Sequence, residues 1–388
     1  MYHIFSVRCR EIIKNLLDSS ISIDYNGDSD KKKRMEKKML QTQEKNRVGA
    51  VNIVFLVSIL ISVVVAFLPL DFLNGRPALQ IIFSQLILVL PSVVYMLKYK
   101  LPYAETVRLK KMKFSDMALC ILFGILIQPA LTLLNAFSMV FSTNTTSAFM
   151  FELSEKIPFL AALFLMAIVP CVLEETVYRG VFYNEYSKLN PWRAALLSGF
   201  LFGLMHGNIN QFCYAAVMGI VFALLIEATG SILSTMLIHF WINAGSVVLI
   251  YLYPKLYEVM QAFYKMYKEY DNKEMLALFE TAFGDMSLST EDWVQQMLTA
   301  AEQLNMTVTD VLILYGPQAL FMGALAVWVY KKIAMRNGNW EKICGFFRKQ
   351  PRVQQEEPKQ HMVTVPLVVA IVIGIAFMIF YEVVVRIA

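Results

Sequence analysis

Glu174, Glu175, Arg179, His206, His239 and Asn243 are the residues of this sequence that could carry chemistry, because each sits in or at the end of a strongly apolar segment. An ionisable side chain in hydrocarbon costs about 2.5–3.5 kcal/mol on insertion scales, and such positions are functional by default. Helical spacing sorts them. Successive residues lie 100° apart, so Glu174 and Glu175 cannot point the same way. Glu175 and Arg179 are i and i+4 with the acid first, the order that pairs best. Glu174 has no counter-ion in its own helix and is left free to act as general base. His239 and Asn243, again i and i+4, put an imidazole and a carboxamide on one face, where they could hold a metal, a water or a developing oxyanion. His206 comes from a separate segment and must converge in space. His3 and His361 lie in polar stretches and need no special explanation.

Each residue also has a plainer reading. A Glu-Glu pair before an arginine can simply be a charged helix end, and a membrane histidine can bond a backbone carbonyl. The grouping of Glu, Arg, His, His and Asn in one stretch, with little other buried charge, favours chemistry. No serine or cysteine falls among these residues, so no covalent intermediate is expected. Cys171, one turn before Glu174, is the nearest rival nucleophile.

The elements that must position them are membrane helices. The chain is 57% hydrophobic and 17% charged, against about a quarter charged in soluble domains. The five cysteines form no CxxC pair, which argues against a disulfide framework or a thiolate metal site. The net charge of +5 lies in blocks between apolar segments, so membrane orientation explains it better than nucleic acid, and no nucleic-acid partner is expected. Apolar stretches of spanning length fall near 48–70, 79–97, 117–141, 158–178, 193–208, 211–228, 231–252, 311–330 and 363–385. These predict an all-α, polytopic transmembrane helical bundle of about nine helices, in which the fifth is short and one could be re-entrant.

Loop charge orients the bundle. Residues 1–47 hold eleven Lys/Arg and form a basic tail rather than a cleaved presequence. Loop 98–113 has six Lys/Arg against one acid, and 331–362 has eight against three, whereas 253–310 has four lysines and ten acids. Cytoplasmic loops carry the cation excess, so the N-terminus is expected inside, the C-terminus outside, and the membrane to be the cell membrane. The expected organisation is a cytoplasmic tail (1–47), a transmembrane bundle (48–252), an extracytoplasmic amphipathic loop (253–310) and two C-terminal spans joined by a basic cytoplasmic loop (311–388). Within 253–310, apolar residues recur at helical spacing from Leu256 to Met266, and Thr290 reads as an N-cap. Amphipathic helices on the outer leaflet are expected there, with a lid over a substrate path as an alternative. At ~1.5 Å per residue, Glu174 and His239 lie at depths where they can meet, whereas His206 would sit about 20 Å deep if its helix began at Arg193.

Glu-Glu-x-x-x-Arg at 174–179, Phe-x-x-x-His at 202–206 and His-x-x-x-Asn at 239–243 resemble, in order, the motifs of the CAAX protease and bacteriocin-processing (CPBP, or Abi) family. The resemblance covers about residues 158–250. It implies an intramembrane endopeptidase of the type II CAAX prenyl endopeptidase kind, with a site open toward the cytoplasm. By motif it implies Glu174 as the base that activates water, His206, His239 and Asn243 as the rest of the site, and Glu175 and Arg179 in support. One carboxylate and two imidazoles, Glu174, His206 and His239, could hold a divalent metal such as zinc, while a metal-free Asn/His oxyanion site is equally consistent. The partners implied are membrane lipid and a peptide or membrane-protein substrate. The alternative functions are a non-catalytic scaffold or bacteriocin-immunity protein that retains the fold, and a transporter, for which neither inverted repeats nor paired broken helices are evident.

Overall fold

The computed structural model describes the backbone over residues 29–293, 296, 306–346 and 361–387, and side chains within those ranges from Arg47 onward. His3, Cys9 and most of the basic tail lie outside the described residues. The chain divides into two units, Met1–Arg47 and Val48–Ala388.

Every regular element among the described residues is helical. Eight are long and apolar enough to cross a membrane, and the protein is an integral, multi-pass membrane protein. They are α1 (Ser29–Ala66, apolar over Arg47–Ala66), α2 (Pro77–Lys98), α3 (Phe114–Met139), α4 (Phe159–Ser187), α6 (Ile209–Thr229), α7 (Leu233–Glu269), α8 (Val308–Arg336) and α9 (Val365–Ile387). Between α4 and α6 stands α5 (Pro191–Leu204). Its 14 residues reach only about 21 Å, short of the ~30 Å hydrocarbon core. The fifth apolar stretch therefore yields a short helix rather than a ninth full span. Asn190 starts α5 by capping the Arg193 N–H at 2.8 Å, and the chain leaves it through Gly207 at φ +69°, where an L side chain would be strained. Asn208 then caps α6 at the N–H of Gln211.

α5 and α6 pack backbone to backbone. A Cβ at Gly219 would stand 2.6 Å from the Gly199 Cα, and one at Gly203 would stand 2.8 Å from the Ala216 Cβ. Small residues at such a crossing replace side-chain packing with direct contact between helices. Gly219→Val should therefore force the two helices apart and destabilise the fold by about 1–3 kcal/mol. An unchanged thermal midpoint in detergent would refute this contact.

The charged loops gather at two edges. Glu227, at the end of α6, is buried and meets Arg108 at 2.5 Å, Lys342 at 2.6 Å and the Tyr183 hydroxyl at 3.0 Å. Arg336 pairs with Asp116 at 3.0 Å. Residues from the two most cation-rich loops thus meet at one edge. At another, Glu382 accepts the Thr143 N–H at 3.1 Å, and Tyr381 bonds Thr145. Sequence reading missed Glu227, although a lone acid at the end of an apolar span is a signal to look for distant cations.

The loop expected from residue 253 begins later. α7 continues without interruption to Glu269, 37 residues or about 55 Å, so the helical spacing at Leu256–Met266 is the continuation of a spanning helix. The segment beyond folds back on that extension. Tyr257 stacks on Trp293 at 4.4 Å, and Tyr257 and Gln261 donate to the Leu288 carbonyl at 3.1 and 2.8 Å. The N-cap of the turn that carries Trp293 is Ser289, whose hydroxyl accepts the Asp292 N–H at 3.0 Å. Thr290, expected in that role, is instead the first helical residue.

Candidate active site

Glu174 and Glu175 close the α-helical stretch Val169–Glu175 in the middle of α4. Wider, π-helical turns flank it at Phe164–Ile168 and Thr176–Tyr183. Such insertions change which way the following side chains point and recur at functional sites. Pro170 contributes to the irregularity. It has no N–H to offer the preceding turn, and Asn243 of α7 donates to the Met166 carbonyl in that turn at 3.1 Å.

Glu175 is buried and holds two partners with one oxygen. Its Oε1 lies 3.1 Å from Arg179 Nη1 and 3.0 Å from His239 Nδ1. The i, i+4 pair read from the sequence is present, and the link to His239 is an addition. The contact with Arg179 is an ion pair, and no guanidinium nitrogen makes a hydrogen bond among the described residues. The guanidinium instead lies 4.4 Å from the Phe202 ring centre and 5.1 Å from that of Phe222, where ring faces attract cations. An ionised carboxylate only accepts, so Nδ1 donates to Glu175, and the ring is held with Nε2 turned away from Glu175.

That Nε2 stands 3.8 Å from Glu174 Oε2. The distance exceeds a hydrogen bond and leaves both atoms open to a third partner. Glu174 is the more accessible acid, its side chain 14% exposed against 0% for Glu175. Its other oxygen, Oε1, accepts from Gln85 Nε2 of α2 at 3.0 Å. Counting ionisable groups alone misses Gln85. A glutamine inside an otherwise apolar span was the available signal.

The remaining two residues are placed differently. His206, just past the end of α5, turns Nδ1 to the Phe202 carbonyl at 2.9 Å, which is the plainer of its two readings for that nitrogen. The Phe202 ring meets the His206 ring at 5.0 Å and the His239 ring at 6.1 Å, both edge-on, so the two imidazoles share a neighbour. Among the described residues His206 makes no hydrogen bond or ion pair with Glu174 or His239. Asn243 faces α4, as His239 does, but its amide is committed to Met166. No three His, Cys, Asp or Glu side chains among the described residues converge closely enough to hold a metal ion. The donor set Glu174, His206 and His239 does not assemble in this arrangement.

The comparisons with known proteins bear on this same stretch. Residues 156–245 match the sequence pattern of the family described as "Type II CAAX prenyl endopeptidase Rce1-like". The similarity is confined to this segment. The segment contains Glu174, Glu175, Arg179, His206, His239 and Asn243, together with both π-helical turns, and leaves α1–α3, α8 and α9 outside. A Bacillus subtilis (strain 168) protein named "Putative membrane peptidase YdiL" is 30% identical over 84 residues, which are 21% of this chain and 34% of that protein. The matched stretch thus spans about a third of the length of that relative. No solved structure matches.

Proposed function

We propose that this protein is an intramembrane endopeptidase that hydrolyses a peptide bond of a membrane-associated peptide or protein, of CAAX or bacteriocin type, by glutamate-activated water. The observation that carries the reading is the pair formed by Glu174 Oε2 and His239 Nε2 at 3.8 Å, with Glu175 holding the opposite nitrogen of the imidazole. One water can be shared across that separation. Glu174 takes its proton as the oxygen attacks the scissile carbonyl and returns it to the leaving amine. His239 orients the water, and the partly buried surroundings strengthen every charge involved. Asn243 acts by holding α7 against α4 at Met166, and His206 lines the site beyond Phe202. The N-terminus is proposed to be cytoplasmic and the C-terminus extracytoplasmic, on the loop charge count, with the short α5 and the turn after it taking the chain to the outer side between α4 and α6, so that the eight long helices and α5 together make nine passes. The Rce1-like segment and a relative named as a membrane peptidase support the same class.

The test is incubation of the purified protein in lipid nanodiscs with membrane-anchored peptides of both types, products being read by mass spectrometry. Failure to cleave any of them beyond a protein-free control would refute the reading. Cys171 supplies a further check on the mechanism. Its thiol is buried and bonds the Ile168 carbonyl at 3.1 Å, so Cys171→Ser should leave turnover within about twofold, a hydroxyl being able to keep that bond. Loss of activity in a folded Cys171→Ser protein would instead favour a thiolate nucleophile.

A further inference from the structure

Glu174 has two carboxylate oxygens with different surroundings, and the residue that separates them comes from outside the Rce1-like segment. Gln85 lies on α2, 89 positions before Glu174, and donates its amide to Oε1 at 3.0 Å. Oε2 is thereby the oxygen turned to His239. The amide's own oxygen, Gln85 Oε1, is buried without a hydrogen-bond partner among the described residues. A buried acceptor left unpaired is costly. Both ends of this side chain therefore have a role at Glu174: the nitrogen grips the base, and the oxygen is an acceptor available to a donor that arrives with the reacting complex.

We propose that Gln85 is a positioning residue for Glu174: it fixes the carboxylate so that Oε2 faces the reacting water, and it offers its carbonyl oxygen to the N–H of the bound peptide or to that water. The role in turnover rests on the peptidase reading above, whereas the pairing with Glu174 does not. Without Gln85 the Glu174 side chain can rotate, and misplacement of a base by even 1 Å costs on the order of a hundredfold.

The experiment compares full-length wild type, Gln85→Leu and Gln85→Asn in nanodiscs. Leucine removes the amide, and asparagine keeps it but is one methylene too short to reach Glu174. Two readouts are taken: kcat and KM on a cleaved membrane-anchored peptide, and the infrared carboxylate band of Glu174, assigned by its loss in Glu174→Gln. Both variants should lower kcat by about 10–100-fold, with KM within about twofold and with the Glu174 band shifted. Gln85→Asn serves as the folded control if Gln85→Leu proves unstable. A folded variant with wild-type kcat overturns the proposal, as does a fall in kcat with the Glu174 band unmoved, since Gln85 would then act elsewhere. If wild type cleaves no peptide while the band still shifts in Gln85→Leu, the peptidase reading fails and the Gln85–Glu174 pairing stands.

Discussion

Replacing Glu174 with glutamine is expected to lower peptide turnover by about 10²–10⁴-fold, the range that a positioned general base contributes. Glutamine matches glutamate in size and can still bond Gln85 through its carbonyl oxygen, so folding should survive. The acid is partly exposed and pairs with no arginine or lysine among the described residues, and its loss strands no buried cation. The measurement is product formation from a membrane-anchored peptide, alongside thermal unfolding to confirm a retained fold. Product yields equal to wild type would remove Glu174 from the mechanism. Glu175→Gln provides the contrast. It weakens the hold on both Arg179 and His239, so turnover and stability should fall together, whereas Glu174→Gln separates them.

The second large effect is on stability. Arg179→Ala should lower the unfolding free energy by about 3–5 kcal/mol, because removing one member of a buried ion pair leaves the other charge uncompensated. The two side chains are 1% and 0% exposed, so solvent cannot relieve Glu175. Arg179→Lys should recover only part of the loss. A lysine can restore the charge, but its ammonium lacks the planar face that lies between Phe202 and Phe222. Replacing both Glu175 and Arg179 with leucine should cost less than the sum of the single changes, since no charge is then left unpaired. Equilibrium unfolding in detergent of wild type, Arg179→Ala, Arg179→Lys, Glu175→Leu, Arg179→Leu and the double leucine variant measures all of this, and additive losses in the leucine cycle would show that the pair does not couple.

These results would bear on different levels of the molecule. Glu174 and Gln85 concern the reacting centre, Glu175 and Arg179 the frame that holds His239, and Gly219 the close crossing that carries α5 and the His206 turn. The frame is the costly part, a buried carboxylate and guanidinium, and its return is an imidazole held in one orientation beside the partly exposed acid.

Much of this was readable along the chain. Apolar runs of spanning length reported the helices, because a bilayer has a fixed thickness and a helix a fixed rise. The Glu175–Arg179 pair and the isolation of Glu174 follow from helical geometry alone, as does the common face of His239 and Asn243. Three features depended on tertiary structure. α5 stops after 14 residues because the chain turns at Gly207 to pack Gly199 against Gly219, which no hydropathy window reports, and this places His206. Asn243 bonds the Met166 carbonyl from α7 to α4, a match between residues 77 positions apart. Gln85 reaches Glu174 because α2 lies against α4. Spacing along one helix is set by the backbone and can be read from the sequence; which helices become neighbours is set by the packing of all of them together, and that decided which atom of Glu174 faces His239.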